Sequence, residues 1–219
     1  MQPDIASPSL RQALRQKRRA LDPRQQRQHS QAVCRHLLRL PWLLQARHIG
    51  LYLGTDGEVD LRPLQQALRH RPQKLYLPVL RPGQTQRLWF APYRPGDCLR
   101  PNRFGIAEPI TRYRPPLNLR RLDLVLMPLV GFDDRLHRLG MGGGYYDRSF
   151  AFLRRGRWHR PRLLGVAHEC QRLTRLQPKP WDLAMDALVT ERGLYLPEPK
   201  KGPHWAVPGR RVIGARLFT

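Results

Sequence analysis

Between Phe132 and Arg148 the chain reads Phe-Asp-Asp-Arg-Leu-His-Arg-Leu-Gly-Met-Gly-Gly-Gly-Tyr-Tyr-Asp-Arg. Glycines at 140, 142, 143 and 144 strip side chains from this loop and leave its backbone N–H groups open. A helix starting at Tyr145 adds its N-terminus, and together they form a cradle suited to phosphate oxygens. Arg138 contributes a planar, forked cation for the same oxygens. Asp147 offers the hard oxygen donor that Mg²⁺ takes when it bridges substrate phosphates. The segment is neither GxxxxGK[ST] nor a GxGxxG with a downstream acid, so both familiar nucleotide fingerprints are absent. As a bare glycine loop it also fits a tight structural turn.

The acids are the second source of chemistry because they are scarce: sixteen Asp and Glu face forty Lys and Arg. Asp56, Glu58 and Asp60 share one loop, Asp133 and Asp134 follow a second apolar run, and Asp182 and Asp186 flank the start of a third. Acids at strand ends of an open α/β sheet mark the place where such sheets bind ligands, although loops in general favour Asp and Glu.

These residues need a frame. Ser7-Pro8 reads as an N-cap with proline at the first helical position, opening a helix to about Leu21. Its Leu10, Ala13, Leu14 and Leu21 fall on one side, and Arg11, Arg15, Arg18 and Arg19 form a basic stripe. Asp22 with Gln25 three residues on forms a capping box for a second helix that carries Val33, Leu37 and Leu40 and stops at Pro41. Beyond it lie five short apolar runs, at 48–53, 74–79, 123–127, 163–167 and 186–190, which suit strands buried on both faces. Helices are expected at 61–70 and 145–153. The alternation predicts an α/β fold with a mostly parallel sheet flanked by helices. Residues 1–196 read as a single domain and 197–219 as a basic, Pro- and Gly-rich extension of weak order.

The charge of +24 points toward anionic partners. Thirty-five of the forty basic residues are arginine, spread over the whole chain, and genome-wide base composition alone produces such a ratio. A nucleic-acid surface would show a basic stripe with interleaved aromatics, whereas Trp42, Trp89, Trp158, Trp181 and Trp205 are scattered beside apolar residues. The longest uncharged run, Leu124 to Phe132, has nine residues, too few to span a membrane. Cys34, Cys98 and Cys170 are isolated and odd in number, and no apolar signal core opens the chain, which points to a cytoplasmic protein with reduced thiols.

From about Leu10 to Thr190 several segments in order carry a resemblance: the Arg-rich first helix, LYLGTDGEVDLRPL, KLYLPVL, NRFGIAEP, DLVLMPLVGFD, RLGMGGGYYDR, and LLGVAHECQ followed by WDLAMDALVT. This set resembles the 5-formyltetrahydrofolate cyclo-ligase family, also called methenyltetrahydrofolate synthetases. The resemblance implies an α/β fold related to the sugar-phosphate isomerase and CoA-transferase group. It also implies ATP- and Mg²⁺-dependent conversion of 5-formyltetrahydrofolate to 5,10-methenyltetrahydrofolate by a monomer. Arg138, Leu139, Gly140, Met141, Gly142, Gly143, Gly144, Tyr145 and Tyr146 then match the ATP-phosphate loop, and Asp147 and Asp182 the metal-binding carboxylates. Glu58 matches the acid that contacts the folate. Arg11 matches a helix-1 arginine near nucleotide and substrate, with Arg15 in the same region. Tyr146 orients the reacting formyl group, and which of Tyr145 and Tyr146 touches substrate stays open. His137 and His168 are expected to be structural.

Two positions depart from the family pattern. Ser7 stands where a phosphate-binding lysine is expected, and Leu136 where a turn glycine is expected. If that turn needs φ > 0, a leucine there costs on the order of 1–2 kcal/mol unless the turn is rebuilt. Two alternatives follow: a paralogue that binds folate or nucleotide without turnover, and a basic nucleic-acid-binding protein on an inherited fold.

Overall fold

The computed structural model describes residues 8–80, 83, 86–110, 115–156 and 158–196. Ser7 and the 197–219 segment lie outside the described residues. In chain order the helices are α1 (Pro8–Arg19), α2 (Pro23–Leu38), α3 (Pro41–Gln45), α4 (Arg62–Ala67) and α5 (Tyr145–Ser149). The strands are β1 (His48–Gly50), β2 (Lys74–Leu80), β3 (Leu88–Tyr93), β4 (Leu99–Pro101), β5 (Ala107–Pro109), β6 (Leu124–Pro128), β7 (Gly131–Phe132), β8 (Arg138–Leu139), β9 (Arg162–Val166), β10 (Ala187–Thr190) and β11 (Gly193–Tyr195).

Seven strands form the main sheet in the order β11-β10-β9-β6-β1-β2-β3. The five apolar runs read from the sequence are β1, β2, β6, β9 and β10, and all their mutual pairings are parallel. The two antiparallel edges, β3 and β11, were not anticipated. Alternate residues explain why the central runs are continuously apolar. Leu124, Leu126, Leu164, Val166, Ala187 and Val189 join one core with α2 to α4, while Val125, Met127, Leu163 and Leu188 join the other with Phe132 and Phe150. With both faces buried, no polar alternation is tolerated.

Local chemistry sets the element ends. The Asp22 carboxylate accepts the Gln25 N–H at 2.8 Å and the Gln25 side chain accepts the Asp22 N–H at 3.0 Å, so the expected capping box is formed. Pro41 does not simply stop α2; it opens α3 at the first helical position, where its missing N–H costs nothing. The helix expected over 145–153 ends at Ser149 and continues as a 3-10 turn over Ala151–Arg155. On α1, Ala13 is exposed, and the inward positions are Leu14 and Arg18, one turn apart.

Proline also divides the sheet. The Leu51 N–H donates to the Tyr76 carbonyl at 2.9 Å, and the next rung of a parallel ladder needs an N–H at residue 78, which is proline. There β1 parts from β2, and the chain from Leu53 to Asp60 is released as a loop at the carboxyl ends of the strands. β2 remains paired on its other side, with Pro78 opposite Phe90 in β3.

Candidate active site

Helix α1 crosses the carboxyl ends of the strands and grips the released loop. Arg18 is about 1% exposed; its Nε donates to the Asp56 carbonyl at 2.8 Å, its Nη2 to Asp56 Oδ2 at 2.7 Å, and its Nη1 lies 3.6 Å from Glu58 Oε1. Arg15 Nε donates to Asp56 Oδ2 at 2.8 Å, and Arg19 pairs with Oδ1. Burial pushes the Asp56 carboxyl upward, but the hydrogen bonds from Arg15, Arg19 and Arg18 more than reverse this and hold it at about 2. For Glu58 burial wins over Arg18 and Thr55, and its carboxyl lies above the usual range.

The glycine loop is reached from a hairpin. Asp133, about 1% exposed, accepts the N–H groups of Arg135 (3.0 Å) and His137 (2.9 Å) on Oδ1 and that of Leu176 (2.8 Å) on Oδ2. His137 Nδ1 also lies 3.0 Å from Oδ2, so both side chains shape the turn. Leu136, which closes it, has φ of 60° and is buried. The turn has therefore not been rebuilt around the leucine; it keeps the left-handed geometry, and the side chain packs among Phe132 and its neighbours.

Arg138 then points inward with its side chain 5% exposed, pairs through Nη2 with Asp147 Oδ1, and leaves Nε buried with no hydrogen-bond partner among the described residues. Arg11 Nε donates to the Gly140 carbonyl at 2.9 Å, so α1 braces the loop directly. Gly142 has φ of 97°, open space where a Cβ would sit, and so a purely conformational need for glycine. α5 is only five residues long, so the N–H groups of the loop carry the cradle more than a helix dipole does.

The tyrosines separate in depth. The Tyr145 hydroxyl accepts from Arg103 Nη2 at 3.0 Å, and its ring meets the exposed Phe104 edge-on. The hairpin β4–β5 presents both residues because the Asn102 carboxamide oxygen accepts the Phe104 N–H (2.8 Å) and the Ile106 N–H (3.1 Å). Tyr146 stacks on Phe150 deeper in, where burial first and the Glu58 charge second push its hydroxyl well above the ordinary range.

One cleft of about 1080 Å³ gathers every site residue expected from the sequence: Arg11, Arg15, Glu58, the whole of 138–147 and Asp182. Sequence reasoning put Asp56 among the strand-end acids and Arg18 in the basic stripe without joining them at the site, and it missed the apolar rim residues Phe104 and Trp181, each more than half exposed. A buried arginine at i+4 from Leu14 is invisible among thirty-five arginines. Asp147 receives both Arg138 and the Leu183 N–H (3.1 Å) on Oδ1, and Asp182 receives the Lys179 N–H (2.8 Å) on Oδ2. Each therefore presents its other oxygen outside these bonds, and two such hard donors at one cleft fit Mg²⁺.

The sequence model of the 5-formyltetrahydrofolate cyclo-ligase family matches residues 5–191. The chain belongs to this family. The Escherichia coli K12 5-formyltetrahydrofolate cyclo-ligase is 39% identical over 177 residues, which cover 81% of this chain and 96% of that one. The Haemophilus influenzae cyclo-ligase is 38% identical over 183 residues, covering 82% and 95%. The 5,10-methenyltetrahydrofolate synthetase of Aquifex aeolicus superposes with a TM-score of 0.73 at 30% identity, covering 93% of this chain and 98% of that one. The protein is thus an enzyme of the cyclo-ligase family, and the glycine cradle, Arg138 and the two carboxylates lie together in the cleft described above. Among the described residues no helix is long and apolar enough to cross a membrane.

Proposed function

We propose that this cleft converts 5-formyltetrahydrofolate to 5,10-methenyltetrahydrofolate with ATP and Mg²⁺, releasing ADP and phosphate. A formamide oxygen is a poor leaving group, so it is phosphorylated first. The formyl oxygen attacks the γ-phosphorus, an O–P bond forms, the bond to the β-phosphate oxygen breaks, and ADP leaves. N10 then adds to the formyl carbon and loses its proton, and the phosphorylated oxygen departs as phosphate, closing the ring as an N5–N10 methenyl cation. Such transfer rests on positioning and charge neutralisation more than on an acid–base pair, and the site residues are of that kind.

Asp147 and Asp182 hold the Mg²⁺, which, when bound, neutralises charge on the phosphates. The loop 140–144 carries the phosphates on its N–H groups. Arg138 offers its buried, unpartnered Nε, a donor that an anion in the cleft satisfies. Arg11 and Arg15 border the same space, and Glu58, which lines it too, accepts the donor edge of the pterin. Tyr146 orients the formyl group, and Tyr145, tied to Arg103, faces the mouth. The single observation that carries this reading is the convergence of those residues on one cleft. The family match ends at residue 191 and the last described strand at Tyr195, which supports a catalytic unit within 1–196.

Folates with polyglutamate tails are the preferred form, because Arg148, Arg154 and Lys179 ring the mouth of a chain that is already strongly cationic. The test is the near-ultraviolet absorbance of the methenyl product. It rises only with protein, ATP and Mg²⁺ together, and Asp147→Ala lowers the rate at least 100-fold. Folate binding without any rise would instead identify a non-catalytic relative, and binding of neither substrate would overturn the assignment.

A further inference from the structure

Outside the cleft, three ligand-type side chains from separate elements converge: His29 on α2, His168 just after β9, and Glu191 in the turn between β10 and β11. Their donor atoms all lie within 4.8 Å of one another. His29 Nδ1 is 3.1 Å from His168 Nδ1 and 3.6 Å from Glu191 Oε1. A tetrahedral ion with bonds near 2.05 Å separates its ligand atoms by about 3.3 Å, and these two edges bracket that value.

Two of the three groups are also held from behind, as metal ligands are. His168 Nε2 donates to the Gly57 carbonyl at 3.1 Å, which turns the Nδ1 lone pair toward the cluster. Glu191 Oε2 accepts the Glu169 N–H at 3.0 Å, leaving Oε1 to face the histidines, and the Glu191 carbonyl lies 3.3 Å from His36 Nε2. His168 is fully buried, whereas the His29 and Glu191 side chains are 22% and 16% exposed, which gives an ion a way in and a water a fourth position. A hydrogen bond between the two Nδ1 atoms needs one proton between them, and an ion bound there displaces that proton to His29 Nε2 or to solvent.

We propose that His29, His168 and Glu191 form a binding site for a borderline divalent transition ion of the Zn²⁺ class. Two imidazoles and one carboxylate select such ions over the harder Mg²⁺ and Ca²⁺. The ion ties α2, the end of β9 and the β10–β11 turn together. Through His168 and the Gly57 carbonyl it also fixes the loop that carries Asp56 and Glu58. None of the three ligands lines the catalytic cleft, so the site stands whether or not the proposed reaction does.

Metal-stripped full-length protein is titrated with Co²⁺ and followed by visible absorption. The expected result is one Co²⁺ per chain with the d–d bands of a four- or five-coordinate nitrogen–oxygen site, displaced by Zn²⁺ but not by the same concentration of Mg²⁺. His29→Asn and Glu191→Gln, both at partly exposed positions, weaken binding at least 10-fold, and His70→Asn leaves it unchanged. No such bands in the wild type, a thiolate charge-transfer band placing the ion on cysteine, or affinity unaltered by both ligand substitutions would overturn the proposal. The wild-type spectrum decides the matter even if a variant folds poorly.

Discussion

With its carboxylate shared by Arg15, Arg18 and Arg19, Asp56 neutralises a guanidinium that has almost no contact with water. Asp56→Asn leaves Arg18 buried and underpaired, which costs on the order of 3–5 kcal/mol. The pH dependence follows from the same contacts. The native carboxyl titrates at about 2 against an ordinary 3.8, so its contribution is complete above pH 4 and is lost as pH falls through 2. That contribution is worth about 2 kcal/mol, so denaturant titrations should show the gap between wild type and Asp56→Asn narrowing across that window. Leu136 makes a different trade. A left-handed leucine costs about 1–2 kcal/mol, while removing a buried leucine side chain costs about 2–5 kcal/mol. Leu136→Gly therefore lowers stability, by about 1–3 kcal/mol in the same titration, even though glycine relieves the backbone.

At the scale of elements, two glycine substitutions should separate function from folding. Gly142→Ala meets no neighbour, but a left-handed alanine at φ 97° costs about 1–2 kcal/mol; the exposed loop escapes that cost by relaxing, and ATP must restore the cradle, so the KM for ATP should rise about 10-fold with little change in Tm. At Gly50, in β1, an added Cβ would sit 2.7 Å from Phe90 Cε1, so Gly50→Ala should lower Tm and leave the KM for ATP near its original value. The elements themselves were unevenly legible. The five parallel strands announce themselves because burial on both faces removes every polar residue from their centres. The edge strand β3 has β2 on one side and an isolated bridge from Leu117 on the other, and its Trp89 and Pro92 are half-buried, so it lacks the continuous apolar signal of a strand covered on both faces. The glycine cradle and Asp147 were legible because their chemistry is local. Arg18 and Asp56 were not, because the contact joins residues 38 positions apart and nothing in either neighbourhood marks it.

At the scale of the whole molecule, the basic residues around the cleft differ in depth. The almost fully buried side chains of Arg18 and Arg138 pair with acids, whereas Arg148, Arg154 and Lys179 are exposed at the rim, where Arg148 and Arg154 meet backbone carbonyls and no carboxylate among the described residues. The exposed group is the more open to screening by salt, whose Debye length falls from about 10 Å at 0.1 M to 3 Å at 1 M. The KM for a polyglutamylated folate should therefore rise several-fold over that range, while the KM for the monoglutamate changes less. Equal responses would assign the rim charge to composition alone.

The docking of α1 has a consequence for the order in which the protein is made. The helix is the first described element, yet its Leu14 nests with Val130, Leu139 and Leu176, and its arginines reach Leu129 and Gly140. A ribosome adding about 5–20 residues per second must extend the nascent chain by roughly 160 residues, on the order of 10–30 s, before those partners exist. A helix made before its partners is thus among the last to find its place. A chain stalled short of Leu176 can pair its early strands but has no finished catalytic cleft.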